Sequence, residues 1–424
     1  MLVDLLAWGS PWAGDPGRLE VAGRVVAMAF LFAFGACVGS FLNVVVYRLP
    51  AGLSVVTPPS RCPICGGRLS WRENLPVLGW FLLRGRCRHC RTRISIQYPL
   101  IEFLVGALFA LTYLVLFAPP TGVAGAWIAE VGGAWWRAQG FAGAWPTYVA
   151  IVFLFAGLVG MTLIDARTYT IPIEITRACT AVGLAAAATQ PLLTIMPKAE
   201  GLWPVPLVGW EAVGIGVGGL VGSIATTLLI ASGRLRYSFA DYDQQVKPED
   251  PLSSYPFARR EMGREMLALL PIGLGAIIGW GLCGWLGGRN SDVGPPLWLA
   301  SVGSSAFGYV VGGGLLWGVR ILFTTLLNRE ALGMGDVHLM AAIGAVLGWR
   351  DPIWIFGLAP FFALSWVAVG SVIGRVLRRR WLEVPFGPHL AAATLFVVFA
   401  RPALAAALRA LGWDAETIAA VLTG

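Results

Sequence analysis

The sequence predicts an all-α polytopic membrane protein of about ten transmembrane helices, with one small cysteine-bearing domain on the cytoplasmic side. Three observations predict it. First, 57% of the 424 residues are hydrophobic and only 13% are charged, with a mean hydropathy of +0.72. That is more apolar surface than one soluble core can keep dry. Second, apolar runs of roughly 20 residues, the length that crosses a bilayer core, recur throughout. Third, the basic residues alternate between polar segments as membrane topology demands, so the net charge of +8 gives no reason to invoke a nucleic-acid partner.

The apolar runs fall at 21–47, 99–118, 146–164, 173–194, 210–232, 265–287, 297–325, 337–349, 352–376 and 388–411. Each must be helical, because an unpartnered backbone amide in lipid costs several kcal/mol. The first run leads straight into motif-bearing chain without a small-residue cleavage site, which predicts a retained helix rather than a removed signal peptide. Arg48, Arg61, Arg68, Arg72, Arg84, Arg86, Arg88, Arg91 and Arg93 place 48–98 in the cytoplasm. Alternation then puts Arg234, Arg236, Lys247, Arg259, Arg260, Arg264, Arg320, Arg329, Arg375, Arg378, Arg379 and Arg380 on the same side. The Trp-rich stretch 126–145 and the loop 197–208 fall on the far side, with Arg137, Lys198 and Arg289 as isolated exceptions.

Five segments result. Residues 1–47 hold the first transmembrane helix, 48–98 the cysteine domain, and 99–232 the helices carrying Asp165. Residues 233–264 form a charged cytoplasmic linker with Pro248, Pro251 and Pro256, and 265–424 the helices carrying Asp336. The linker's low apolar content predicts a mobile segment in which Asp241, Asp243, Glu249 and Asp250 are simply solvated. A faint internal echo links Met262-Gly263-Arg264-Glu265 to Met334-Gly335-Asp336, each followed by an apolar run.

Cys62-Pro63-Ile64-Cys65 and Cys87-Arg88-His89-Cys90 are two CxxC turns with 21 residues between them, a spacing close to that of four-thiolate zinc sites. Each turn presents two sulfurs on one side, so together Cys62, Cys65, Cys87 and Cys90 complete a tetrahedral shell. Four thiolates leave no open position, which predicts structural Zn²⁺ and makes 48–98 a zinc-knuckle domain. Two disulfides are the alternative, one that a reducing cytoplasm disfavours. Gly66, Gly67 and Gly85 allow the tight backbone. Cys37, Cys179 and Cys283 lie in apolar helices as packing residues, and His89 is a weaker ligand candidate than any cysteine.

Acidic residues at membrane depth are functional candidates by default. Asp165 ends the third apolar run and Asp336 opens the eighth through Gly333-Met334-Gly335-Asp336. Charge bias alone puts both at the cytoplasmic face. Two carboxylates at one site cannot both ionise cheaply, so one serves as general acid while the other activates a water against a peptide carbonyl. Gly333 and Gly335 would let an extended substrate backbone approach. Taken singly, Asp165 could cap the following helix and Asp336 could complement a helix dipole. Glu102 and Glu174 border membrane segments on the same side as supporting or interfacial acids. Three histidines without an HExxH pair, and no Gly-flanked serine with a matching histidine, argue against metalloprotease and serine-protease chemistry.

The sequence resembles the type IV prepilin leader peptidase family. The likeness rests on Gly39-Ser40-Phe41-Leu42-Asn43-Val44-Val45-Val46-Tyr47-Arg48-Leu49-Pro50, both CxxC turns, Asn74-Leu75-Pro76-Val77-Leu78-Gly79-Trp80 and Gln97-Tyr98-Pro99-Leu100-Ile101-Glu102. It continues through Asp165 with Ile171-Pro172, Gly333-Met334-Gly335-Asp336 and Pro385-Phe386-Gly387-Pro388. The resemblance covers most of 30–190 and 330–400 and leaves 195–325 poorly matched. It implies a GxGD-type aspartyl protease of the bacterial inner membrane, with Asp165 and Asp336 as the catalytic pair. Such an enzyme cuts the basic leader of prepilins or type II secretion pseudopilins on the cytoplasmic side. In many members the cysteine-bearing part also methylates the new N-terminus with S-adenosylmethionine. His338 stands where the family usually has lysine, and Ala166-Arg167 replaces a stretch that often carries another acid. The competing class is a non-catalytic membrane assembly factor or scaffold of a pilus or secretion system, its carboxylates merely capping helices.

Overall fold

Apolar sequence unbroken by turn residues folds as helix almost from end to end. The computed structural model describes residues 16–117, 122–194, 205–242, 255–289, 293–377 and 385–414. Lys198, Asp243, Lys247, Pro248, Glu249, Asp250, Pro251, Arg378, Arg379 and Arg380 lie outside them. Among the described residues twelve helices follow in order: α1 (Pro16–Arg48), α2 (Leu78–Leu82), α3 (Gln97–Phe117), α4 (Gly122–Thr168), α5 (Ile173–Leu193), α6 (Trp210–Ala231), α7 (Ala258–Arg289), α8 (Leu297–Leu327), α9 (Met334–Leu347), α10 (Arg350–Leu377), α11 (Phe386–Phe399) and α12 (Arg401–Ala410). Among the described residues the only β pairing is the isolated bridges Arg61–Arg68 and Arg86–Arg93.

The chain is a multi-pass membrane protein. Among the described residues seven helices are long and apolar enough to cross a bilayer, or eight if the pair α11 and α12, bent by 82°, counts as one span. Two of the ten expected spans fall outside this count. Helix α5 has the length, but Glu174, Arg177 and Gln190 dilute its apolarity. Helix α9 has 14 residues, about 21 Å at 1.5 Å per residue, too short to span alone. It buries 11 residues by packing against α4, α5, α8, α10 and α11. Inside that cage it needs no contact with lipid.

Helix α4 also overruns its expected start: the Trp-rich stretch expected as a far-side loop is helical, with Trp135 and Trp136 buried. The charged linker is shorter than predicted. Residues 255–257 turn directly into α7, and Tyr255, Ala258, Glu261 and Met262 are buried. Asp241 is no idle surface acid, since it accepts a 2.7 Å hydrogen bond from the Tyr255 hydroxyl.

Two compact units divide the chain, 1–118 and 119–424. In the first, α1 and α3 approach closely because α1 carries glycine one turn apart: a methyl group at Gly39 would stand 2.8 Å from the Glu102 Cα, and one at Gly35 would stand 2.8 Å from the Phe109 ring. Small residues spaced by four allow such contact between membrane helices. In the second unit the same device joins α6 to α7 at Gly214 and Gly279, and α8 to α9 at Gly308 and Gly344, backbone against backbone.

Candidate active site

Asp165 lies in the last turn of α4, where its carbonyl accepts the Tyr169 N–H at 2.9 Å. It does not cap α5, whose N-cap is Pro172. Asp165 is 4% exposed, and its Oδ2 lies against the backbone of Gly387 at the start of α11, 2.5 Å from where a methyl group there would stand. Asp336 is the third residue of α9 after the N-cap Gly333 and is 8% exposed. One of its oxygens turns back to the Gly333 backbone. The other, Oδ1, is buried without a hydrogen-bond partner, which a purely structural acid at a helix start would not leave.

Both aspartates belong to the second unit. Asp336 lies within electrostatic reach of Asp165 and of Arg320. Ile171, from the turn between α4 and α5, packs against Gly335 beside Asp336 and against Gly387 beside Asp165. A methyl group at Gly335 would stand 2.8 Å from Ile171 Cβ, and one at Gly387 would stand 3.1 Å from Ile171 Cδ1 and 2.5 Å from Asp165 Oδ2. Gly335 is half-buried with its backbone against Ile171. Gly333 is exposed, with only Asp336 Oδ2, at 3.4 Å, and the Gly335 nitrogen near its missing side chain.

Gly387→Ala is expected to push the Asp165 carboxylate aside and lower turnover by about 10- to 100-fold, because sub-ångström placement governs catalytic geometry. Steady-state kinetics beside a thermal melt of the same preparation checks this. An unchanged turnover would show that Gly387 does not set the carboxylate's place.

In the first unit the four predicted cysteine ligands converge. Their sulfurs lie within 4.8 Å of one another, with Cys62 to Cys90 at 3.8 Å and Cys65 to Cys87 at 4.0 Å. A tetrahedral ion with metal–sulfur bonds of about 2.3 Å sets sulfurs about 3.8 Å apart, so the set fits. All four are free thiols, and His89 is outside the cluster.

The two turns repeat one geometry: Gly66 N–H reaches the Cys62 carbonyl at 2.9 Å and Arg91 N–H the Cys87 carbonyl at 3.0 Å. Gly66 and Arg91 both adopt left-handed φ, +69° and +60°. The backbone N–H groups of Cys65 and Ile64 draw the Cys62 thiol down to about 7, and those of Cys90 and His89 draw Cys87 down. At Cys90 the Thr92 N–H favours the thiolate, but desolvation and three neighbouring sulfurs outweigh it and push that thiol up to about 11. The metal-free set thus holds a proton that a dication would displace.

Glu102, expected only as a supporting acid, is buried between α1 and α3 and accepts the Val77 N–H at 2.6 Å. Val77 has φ +62°, costly for a β-branched residue, and the carboxylate is what holds it. Arg320 was missed altogether as a site residue. Charge counting assigns it to a cytoplasmic loop, whereas the structure buries it in α8 at 1% exposure. The available signal was an arginine within an apolar run.

The chain matches the Bacterial Peptidase A24 N-terminal domain over residues 33–116. The prepilin leader peptidase/N-methyltransferase of Myxococcus xanthus is 59% identical over 80 residues, 19% of this chain and 24% of that protein. The prepilin leader peptidase/N-methyltransferase of Burkholderia pseudomallei is 28% identical over 422 aligned residues, 91% of this chain and 93% of that protein. A type 4 prepilin-like proteins leader peptide-processing enzyme of Escherichia coli is 32% identical over 197 residues, 42% of this chain and 62% of that protein. No solved structure matches.

Proposed function

We propose, from the premise that this chain belongs to the prepilin leader peptidase/N-methyltransferase family, that it cleaves the basic leader from prepilins or type II secretion pseudopilins with Asp165 and Asp336. The observation that carries this reading is the convergence of two buried carboxylates from α4 and α9, one of them with an unpartnered oxygen.

In this mechanism one carboxyl of the pair holds a proton and the other is ionised; the proton belongs to the dyad rather than to either residue. The ionised carboxylate takes a proton from water as its oxygen attacks the scissile carbonyl, while the protonated partner donates to the carbonyl oxygen. Collapse of the tetrahedral intermediate breaks the C–N bond, and the departing nitrogen takes the second proton. Exposed Gly333 is where an extended substrate backbone can lie alongside the pair.

The arginines of 48–98 support a cytoplasmic location for that segment by the positive-inside rule, alternation of the ten apolar runs supports the same side for the dyad, and the family likeness supports a bacterial inner membrane. A substrate would keep its basic leader in the cytoplasm and its apolar stem in lipid. Cys62, Cys65, Cys87 and Cys90 would hold a structural Zn²⁺, which organises the fold and takes no part in cleavage. N-methylation of the new N-terminus, with S-adenosylmethionine as donor, completes the reading.

Co-expression with a prepilin followed by N-terminal mass measurement tests it. The expected product lacks its leader and carries one added methyl group. A prepilin that binds but is never shortened would favour the assembly-factor reading, and a shortened, unmethylated one would leave the peptidase alone.

A further inference from the structure

We propose that Arg320 is a positioning residue for Asp336, clamping the segment that delivers Gly333-Met334-Gly335-Asp336 to the site. The inference rests on the reading of Asp336 as half of the dyad. Arg320 is fully buried on α8 and its guanidinium is used on every side. Nε lies 3.0 and 3.1 Å from the two Glu265 oxygens of α7, and Nη2 lies 3.0 Å from Glu265 Oε1. Nη1 turns the other way, to Glu330 Oε1 at 2.8 Å and to the Leu332 carbonyl. The Phe239 ring lies against the guanidinium, 5.2 Å from centroid to Cζ. Trp317 Nε1 holds Glu265 Oε2 at 2.8 Å.

One turn further along α8, buried Thr324 accepts the Ala331 N–H at 3.2 Å. Two residues of one helix face thus grip the Ala331 N–H and the Leu332 carbonyl just before Gly333, the N-cap of α9. Asp336 follows three residues later and feels the charge of Arg320.

Holding α7 to α8 does not require this arrangement. A buried ion pair adds little net stability over well-packed apolar residues of similar volume, and glycine contacts on α6 already seat α7. What apolar residues cannot supply is a directional hold on the Leu332 carbonyl and a fixed positive charge beside the dyad. Nor can lysine bridge the two sides, since a point ammonium lacks the planar fork that reaches Glu265 and Leu332 together. Glu265 and Arg320 belong to the stretch that the sequence leaves poorly matched, so that stretch acquires a role at the site.

The test is prepilin cleavage kinetics of the full-length protein in lipid, with thermal unfolding of each preparation. The variants are Arg320→Lys, Glu330→Gln and the paired Arg320→Met with Glu265→Met, which removes both buried charges at once. The expected result for Arg320→Lys and for the pair is a kcat lowered about 10- to 100-fold, with KM within about twofold of the unaltered protein and a retained cooperative melt. Glu330→Gln, at a half-exposed position, loses about 3- to 10-fold in kcat by the same argument. Should the paired variant fail to accumulate, Arg320→Lys and Glu330→Gln decide. Unaltered kcat in the folded variants, or losses that only follow the fraction unfolded, overturns the clamp. Asp336→Asn in the same series separates the two readings: if it cleaves, the dyad itself is wrong, and if it is dead while the Arg320 variants are normal, only the clamp falls.

Discussion

Asp165→Asn and Asp336→Asn should each lower leader cleavage by at least about 100-fold and by as much as about 10⁴-fold, the range that general acid–base groups contribute. Asparagine has nearly the shape of aspartate, so α4 and α9 keep their packing. At position 165 its carbonyl oxygen can keep the place of Asp165 Oδ2 beside Gly387. What it cannot do is exchange a proton, and the mechanism needs one group to take a proton and its neighbour to give one. Because the two act as a unit, the double variant should be hardly worse than either single. Stability should not fall, since each change removes a desolvated acid from a site where an isolated buried charge is costly. N-terminal mass of a co-expressed prepilin, read beside the thermal midpoint, decides it. Full cleavage by either variant refutes the dyad.

Metal removal should have the second largest effect. Between residues 50 and 96 the only non-glycine residues that are buried are Cys62 and Cys87, while Leu53, Val56, Ile64, Trp71, Leu78, Phe81 and Leu82 are exposed. A segment with so little apolar core cannot offset its ordering entropy by burial. An ion on four thiolates would supply the missing term, about 10 kcal/mol or more in small structural zinc sites at neutral pH. Purified protein should therefore carry one zinc ion per chain by elemental analysis. Cys62→Ser or Cys87→Ser should lose the ion and open 48–98 to limited proteolysis. Metal-free protein that resists protease equally well would assign the segment's stability elsewhere. Two disulfides are already at odds with the four free thiols at contact distance.

Legibility followed the range of the interaction. Helices and their approximate places follow from local apolarity, because lipid leaves the backbone no other way to satisfy itself. The cysteine cluster is equally local: each CxxC turn fixes two sulfurs by its own backbone hydrogen bonds. Whether a helix is enclosed by its neighbours is not local, and α9 is the case in point. A short helix surrounded by five others looks, residue by residue, like one facing lipid. The linker misled for the opposite reason, since polar composition at 255–264 hid Tyr255 and Glu261 in a packed cluster.

By itself the sequence determined that this chain is a polytopic helical membrane protein with a four-thiolate knuckle, and it singled out Asp165 and Asp336 as acids that lipid would not tolerate without purpose. Only the tertiary structure decided how those acids are held. Ile171 packs against Gly335, Gly387 presses its backbone on Asp165, and Arg320 leaves the charge count to become a buried clamp. The physical reason is that a carboxylate's chemistry depends on what stands within a few ångströms of it, and these neighbours come from α4, α8, α9 and α11, far apart along the chain.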